Sequence, residues 1–248
     1  MGNEPRGAIV TGAASGIGRA IAERLTKDGF EVLAVDLRAA PDTPGEAFEA
    51  DLTTRAGNRT SVEEARRRFG RVDVVVANAG FQHIAPVDQF PEEKWDELVA
   101  LLLTSPFLLA KYAWADLKQS GSGRFIAVAS VHGLAASPFK AAYVSAKHGL
   151  VGLTKVLGLE GAELGIAAAA VCPAYVRTPL VENQVGDQAQ AHGLSRDRVL
   201  SEVILAPHAI KRLIEPEEVA DIVALLAGPH GELFTGAAVT MDMGWTAR

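Results

Sequence analysis

The sequence predicts an α/β fold, a single domain built on a doubly wound parallel sheet with a helical lid, and three observations predict it. Short apolar runs alternate with helix-period stretches from residue 7 to residue 241. The run at 72–77 is apolar at nearly every position, as a strand buried on both faces of a parallel sheet is. The first run also passes through a glycine-rich turn straight into an amphipathic helix.

Gly7-Ala8-Ile9-Val10-Thr11 is the first strand. It leads into Gly12-Ala13-Ala14-Ser15-Gly16-Ile17-Gly18 and a helix over 19–28, with Ile17, Ile21 and Leu25 on one face and Gly29 as its stop. Gly12 permits the tight turn, and Gly16 lets backbone approach a pyrophosphate. Gly18 lets helix and strand pack closely, with the phosphates on the helix N-terminus. The spacing is G-x-x-x-G-x-G rather than G-x-G-x-x-G, but strand, loop and helix come in the order a Rossmann-type dinucleotide site requires. A second strand, 31–35, ends in Asp36, eighteen residues after Gly18. A carboxylate there accepts hydrogen bonds from the adenosine ribose and repels a 2′-phosphate, which favours NAD over NADP. Arg38, two residues on, partly offsets that repulsion.

A weak strand at 49–50 ends at Asp51-Leu52, and 61–69 is a charged amphipathic helix. The strand at 72–77 ends in Asn78-Ala79-Gly80, a small-residue turn at the carboxyl edge of the sheet, where ligands bind. Pro91 begins a helix running through 103 and adjusted near Pro106. The strand at 124–129 presents Ser130, a helix spans 143–163, and the strand at 166–171 is closed by Cys172-Pro173. Residues 181–207 are polar and interrupted, the pattern of a mobile lid. A helix at 217–227 and a strand at 237–241 complete the alternation, with no internal repeat and no linker to a second domain.

Tyr143 and Lys147 stand one helical turn apart, thirteen residues after Ser130. Such a Tyr–Lys pair on a helix surface is worth only about 0.2–0.5 kcal/mol. After a dinucleotide loop it takes on another meaning. An ammonium beside a phenol favours the phenolate, and a serine hydroxyl can hold the substrate oxygen next to it. That device moves a proton on or off an alcohol oxygen.

The composition fits one enzyme domain: 248 residues, 48% of them hydrophobic, enough for a large core. A net charge of −6 argues against nucleic acid or an anionic membrane as a main partner. The single cysteine, Cys172, excludes an internal disulfide and reads as a buried structural thiol. Residues 1–5 carry no apolar signal-peptide core, and the longest strongly apolar stretch, 98–103, is too short to span a bilayer. Cytoplasm is the expected compartment, and no metal site is expected.

Together Thr11 through Gly18, Asn78-Ala79-Gly80, Ser130 and Tyr143-Val144-Ser145-Ala146-Lys147 resemble the short-chain dehydrogenase/reductase family over nearly the whole chain. The resemblance implies Tyr143 as general acid/base, Ser130 orienting the substrate oxygen, and Lys147 tuning the tyrosine and gripping the nicotinamide ribose. It implies Asp51 and Leu52 at the adenine, and Pro173, Val176 and Thr178 on the nicotinamide side, with Thr178 at the carboxamide. It also implies a homotetramer packed through its long helices.

Within the family, segments such as Phe81-Gln82-His83, Ser130-Val131-His132-Gly133-Leu134 and Gly244-Trp245-Thr246-Ala247-Arg248 resemble the branch acting on 3-hydroxybutyrate. That resemblance implies Gln82, His132, Lys140 and Gln184 around a substrate carboxylate, with Trp245 close by. The physics agrees, since a small hydroxy-acid substrate is an anion and its pocket needs a cation and neutral donors. Four positions depart from the pattern. Leu102 stands where the family places an asparagine, Ala174 and Met243 where glycine is usual, and Tyr175 where that branch carries tryptophan. Two other readings stay open: a dehydrogenase for a neutral alcohol, sugar or steroid, and a nucleotide-binding regulatory protein without chemistry.

Overall fold

Successive residues of the central strands enter two different apolar layers, and so one sheet is buried on both faces. The computed structural model describes residues 5–38, 40, 42–179, 181–182, 185–186 and 194–247. β1 (Gly7–Thr11) sends Ile9 into one layer and Ala8 and Val10 into the other. β4 (Val74–Ala77) divides Val75 and Ala77 from Val74 and Val76 in the same way. With β2 (Glu31–Asp36), β3 (Glu46–Glu49), β5 (Gly123–Val128), β6 (Ile166–Pro173) and β7 (Ala238–Met241) they form a seven-stranded sheet in the order β3-β2-β1-β4-β5-β6-β7. Every pairing is parallel, and Ile9 stands opposite Leu33 on one side and Val75 on the other.

α1 (Gly16–Lys27) and the helix Pro216–Ala227 cover one face through Ile21, Leu25, Val219 and Val223. α2 (Arg55–Phe69), α4 (Ser105–Ser120) and α5 (Ala141–Gly161) cover the other through Val62, Leu109, Leu117 and Leu150. The winding reverses between β1 and β4, which opens a crevice at the carboxyl ends of those strands. This is the doubly wound Rossmann-type sheet that the alternation predicts.

Three elements differ most from the sequence reading. β3 lies at Glu46–Glu49 rather than 49–50, because this edge strand is partly exposed and lacks the apolar run of a central one. α2 begins at Arg55 rather than 61. Thr54 caps it by accepting the Gly57 N–H at 3.0 Å, and the first turn is polar. Its buried Asn58 donates to the Leu52 carbonyl at 2.8 Å and accepts from Ser105 Oγ at 2.6 Å.

The third difference is the long helix. α3 (Glu92–Val99) runs through a wide π turn, Ala100–Thr104, directly into α4. Ser105 N–H donates back to the Ala100 carbonyl, and Pro106, which has no N–H, follows at once. The continuous 29-residue helix Glu92–Ser120 is long and apolar enough to cross a membrane by length and composition alone. Leu109, Ala110, Ala113 and Leu117 are nevertheless buried in the sheet's core, so this is a core helix.

Within 181–207, the described Val181, Val185, Val199, Ile204 and Leu205 gather with Leu213 against Tyr175. The short α6 (Arg196–Val199), capped by Ser195, belongs to this cluster, and Pro216–Ala227 follows as α7.

Candidate active site

The crevice between β1 and β4 holds a cavity of about 730 Å³, and every site residue read from the sequence lines it except Gln184, which lies outside the described residues. One end is made of backbone. Gly12 has φ +67°, and a Cβ there would sit 2.9 Å from Ala79 Cα. A Cβ on Gly18 would fall 2.0 Å from the Gly12 carbonyl oxygen and 2.5 Å from Asn78 Nδ2. Thr11 ties this turn to the next: its Oγ1 accepts from the Asn78 and Ala79 N–H groups at 2.9 and 3.0 Å. Asn78 Nδ2 returns a bond to the Thr11 carbonyl at 2.8 Å.

Ser15 stands at the N-cap of α1 with no side-chain bond to the helix, beside Gly16 and Ile17. Asp36, at the end of β2, accepts from the Ala14 and Leu37 N–H groups at 3.0 and 2.7 Å. Asp51 accepts from Thr53 N–H and Oγ1 at 2.9 and 2.6 Å, next to buried Leu52. Beyond β6, Pro173 leads to Val176, which bridges to Ile214, and Thr178 Oγ1 donates to the Val176 carbonyl at 3.3 Å. Thr178 faces the glycine turn: a Cβ on Gly16 would meet its Cγ2 at 3.2 Å.

This donor set fits a nicotinamide dinucleotide. The packed glycine turn leaves bare backbone at a helix N-terminus for a pyrophosphate, and a carboxylate stands at the end of β2 for ribose hydroxyls. Among the described residues no group of three or more His, Cys, Asp or Glu is placed to share a metal ion.

The other end of the cavity carries the titratable groups. Ser130, at the end of β5, accepts the His132 N–H at 3.1 Å and favours the ionised form of the Tyr143 phenol. Lys147, one turn along α5, lies 5.7 Å from the centre of the Tyr143 ring and donates to the Val128 carbonyl at 2.7 Å. The sequence reading has this ammonium lowering the phenol's pKa. Burial instead decides it: Tyr143 is held above its ordinary value, and Ser130 only partly offsets the rise. Lys147 itself is brought down to about 8 by burial, with its ammonium turned to a backbone carbonyl.

Around this pair stand the groups expected to meet a carboxylate. Lys140 is buried, and desolvation lowers it to about 8. Gln82 and Trp245 line the same cavity. His132 packs edge-on to both Tyr143 (5.9 Å) and Trp245 (5.4 Å), with both ring nitrogens facing serine hydroxyls.

Tyr175 is the site residue that the sequence reading noted only as a departure. Its hydroxyl accepts from Lys140 Nζ at 3.2 Å, and its ring stacks on Trp245 at 5.8 Å. Burial pushes it up to about 12. Lys140 lies 35 residues away in sequence on another element, so the pairing exists only in three dimensions.

A glycine-bound nucleotide crevice opening onto a Ser–Tyr–Lys cluster defines a nicotinamide-dependent oxidoreductase. Residues 6–189 match the family model described as short chain dehydrogenase, and the chain belongs to that family. It is 41% identical to the D-beta-hydroxybutyrate dehydrogenase of Rhizobium meliloti (strain 1021), an alignment covering 97% of this chain and 98% of the relative. It is 38% identical to the protein of the same name from Cupriavidus necator, with the same coverage. Among solved structures, the ligand-free aldohexose dehydrogenase of Thermoplasma acidophilum superposes with a TM-score of 0.91 at 29% identity, covering 99% of this chain and 95% of that one.

Proposed function

We propose that this chain oxidises (R)-3-hydroxybutyrate, or a similar small 3-hydroxy acid, with NAD to give acetoacetate or its analogue. The observation that carries this reading is the buried Lys140 ammonium in the same cavity as Ser130 and Tyr143. A buried cation needs an anionic partner, and a substrate carboxylate supplies one. The names of the two relatives from Rhizobium and Cupriavidus agree with a small hydroxy acid.

A nicotinamide held in the crevice would supply the acceptor for the hydride on C3. Tyr143 is the base that receives the substrate's hydroxyl proton, Ser130 holds that oxygen, and Lys147 adds a positive charge on the same side of the cavity. Asp36 selects NAD by accepting the ribose hydroxyls and repelling a 2′-phosphate. Gly12, Gly16 and Gly18 cradle the pyrophosphate, with Ser15 and Ile17 beside it. Asp51 and Leu52 meet the adenine, and Asn78, Ala79 and Gly80 line the path to the nicotinamide. Pro173, Val176 and Thr178 hold the carboxamide side. Lys140, Gln82, His132 and Trp245 surround the acid, and Tyr175 adds a hydroxyl to them. Val181, at the start of the lid read from the sequence, lines the same cavity. The working form is a cytoplasmic homotetramer.

The test is a substrate panel at matched concentration: 3-hydroxybutyrate, its methyl ester and an aldohexose, each with NAD and NADP. Turnover of the acid with NAD, at least roughly tenfold better in kcat/KM than the ester, supports the reading. Preference for the ester or the sugar would assign the chain to a neutral substrate, a reading that the likeness to the Thermoplasma enzyme favours.

A further inference from the structure

Phe139 holds a backbone conformation that residues with large side chains avoid. Among the described residues only Phe139, with φ +68°, and Met243 combine a side chain with a positive φ. The left-handed region crowds a Cβ against the following carbonyl oxygen, and glycine alone occupies it freely. Burial of the ring offsets little of this, since Phe139 is 57% exposed. Pro138 and Phe139 form a turn, and proline followed by a positive φ is the type II arrangement. Its second central position ordinarily takes glycine or asparagine.

This turn lies where three walls of the cavity meet. On one side, Ser137 Oγ is 3.0 Å from His132 Nε2. On the other, Lys140 is buried, and its Nζ donates to the Tyr175 hydroxyl at 3.2 Å. Lys140 is the N-cap of α5 yet makes no side-chain bond to that helix, so its ammonium is aimed by the backbone before it. Between them the Phe139 carbonyl accepts the Ala85 N–H at 3.0 Å, three residues after Gln82. Rotating φ of Phe139 into its ordinary negative range would turn that carbonyl and Lys140 together relative to Ser137. One dihedral therefore sets both contacts.

We propose that Phe139 is a positioning residue for the substrate: its left-handed backbone, and not its ring, aims Lys140 into the cavity and ties it to the loop carrying Gln82. The inference rests on the reading of Lys140 as the partner of a substrate carboxylate. Strain of this kind persists only where the surroundings over-determine it. Here Ala85, Tyr175 and His132 hold the turn at three points.

The test compares Phe139→Gly and Phe139→Pro in the full chain. Glycine removes the ring and allows the positive φ, whereas proline fixes φ at about −65°. No described residue accepts the Phe139 N–H, so proline takes no hydrogen bond away with it. Two quantities are read: KM for 3-hydroxybutyrate against its methyl ester, and hydrogen exchange of the Ala85 amide. In Phe139→Gly both stay within about twofold of wild type. In Phe139→Pro, KM for the acid rises roughly tenfold or more while KM for NAD and the kinetics with the ester hold. The Ala85 amide of that variant also exchanges roughly tenfold faster or more. A glycine variant that behaves like the proline one would assign the effect to the ring and overturn the proposal. So would a proline variant in which either quantity keeps its wild-type value.

If circular dichroism shows the proline variant unfolded, Phe139→Val decides, because a β-branched residue tolerates a positive φ still less than phenylalanine. A rise in both acid KM and Ala85 exchange upholds the positioning role, and either one unchanged rejects it. A wild-type chain that forms no NADH from the acid defeats the substrate reading along with this one. A folded proline variant with wild-type acid KM defeats this one alone.

Discussion

Lys140 donates to the Tyr175 hydroxyl at 3.2 Å while its ammonium lies 5.3 Å from the centre of the same ring. The tyrosine is itself stacked on Trp245, so the cation is held from one side by a rigid aromatic pair. Because the Tyr175 oxygen accepts from Lys140, its own hydrogen remains to be donated, and a carboxylate beside the ammonium is the natural acceptor.

Tyr175→Phe keeps the ring and its stacking and removes that donor. KM for 3-hydroxybutyrate is expected to rise roughly tenfold, the worth of a charge-assisted hydrogen bond of about 1.5 kcal/mol, with kcat and the KM for NAD little changed. Steady-state kinetics on acid and methyl ester check this, and an equal effect on the ester would remove Tyr175 from the carboxylate pocket.

Burial brings Lys140 down to about 8. Anion binding needs the protonated amine, so KM for the acid should be lowest below that pH and climb as pH rises through it. The methyl ester, which has no charge to pair, should show no such climb. A flat acid profile across that range would show that the ammonium does not bind the substrate.

Asp36→Asn removes the negative charge at the end of β2 and keeps the acceptor oxygen. The ratio of NAD to NADP kcat/KM is expected to fall roughly tenfold or more, about 1.4 kcal/mol of lost repulsion. An unchanged ratio would place cofactor selection elsewhere.

A methyl group on Gly18 would lie 2.0 Å from the Gly12 carbonyl oxygen. Gly18→Ala should therefore destabilise the fold by about 1–3 kcal/mol and weaken NAD binding. Urea unfolding and fluorescence titration with NADH measure the two effects. A variant of wild-type stability and affinity would contradict the packing of the glycine turn.

The central strands were legible because their burial on two faces leaves almost no polar residue, as Ile9, Val75 and Phe125 show. The nucleotide loop was legible for a similar reason: its glycines are demanded by contacts at atomic distance, as at Gly18. What the sequence hid were features without an apolar period. Thr54 starts α2 with a polar turn whose Asn58 is buried by hydrogen bonds rather than by apolar contact. Pro106 reads as a break, yet the π turn before it carries the helix through. The pairing of Lys140 with Tyr175 and of His132 with Ser137 comes from loops folding over the cavity, which no local pattern announces. The position of the Lys147 ammonium, on the Val128 carbonyl, could not be read from a four-residue spacing.

The most direct measurement is NADH formation from 3-hydroxybutyrate by Tyr143→Phe, alongside a titration of its NAD affinity. Phenylalanine preserves the half-buried ring and removes the one oxygen assigned to take the proton. Turnover should fall by roughly two to four orders of magnitude with NAD binding within about twofold of wild type. Turnover at the wild-type rate would contradict the account at its base.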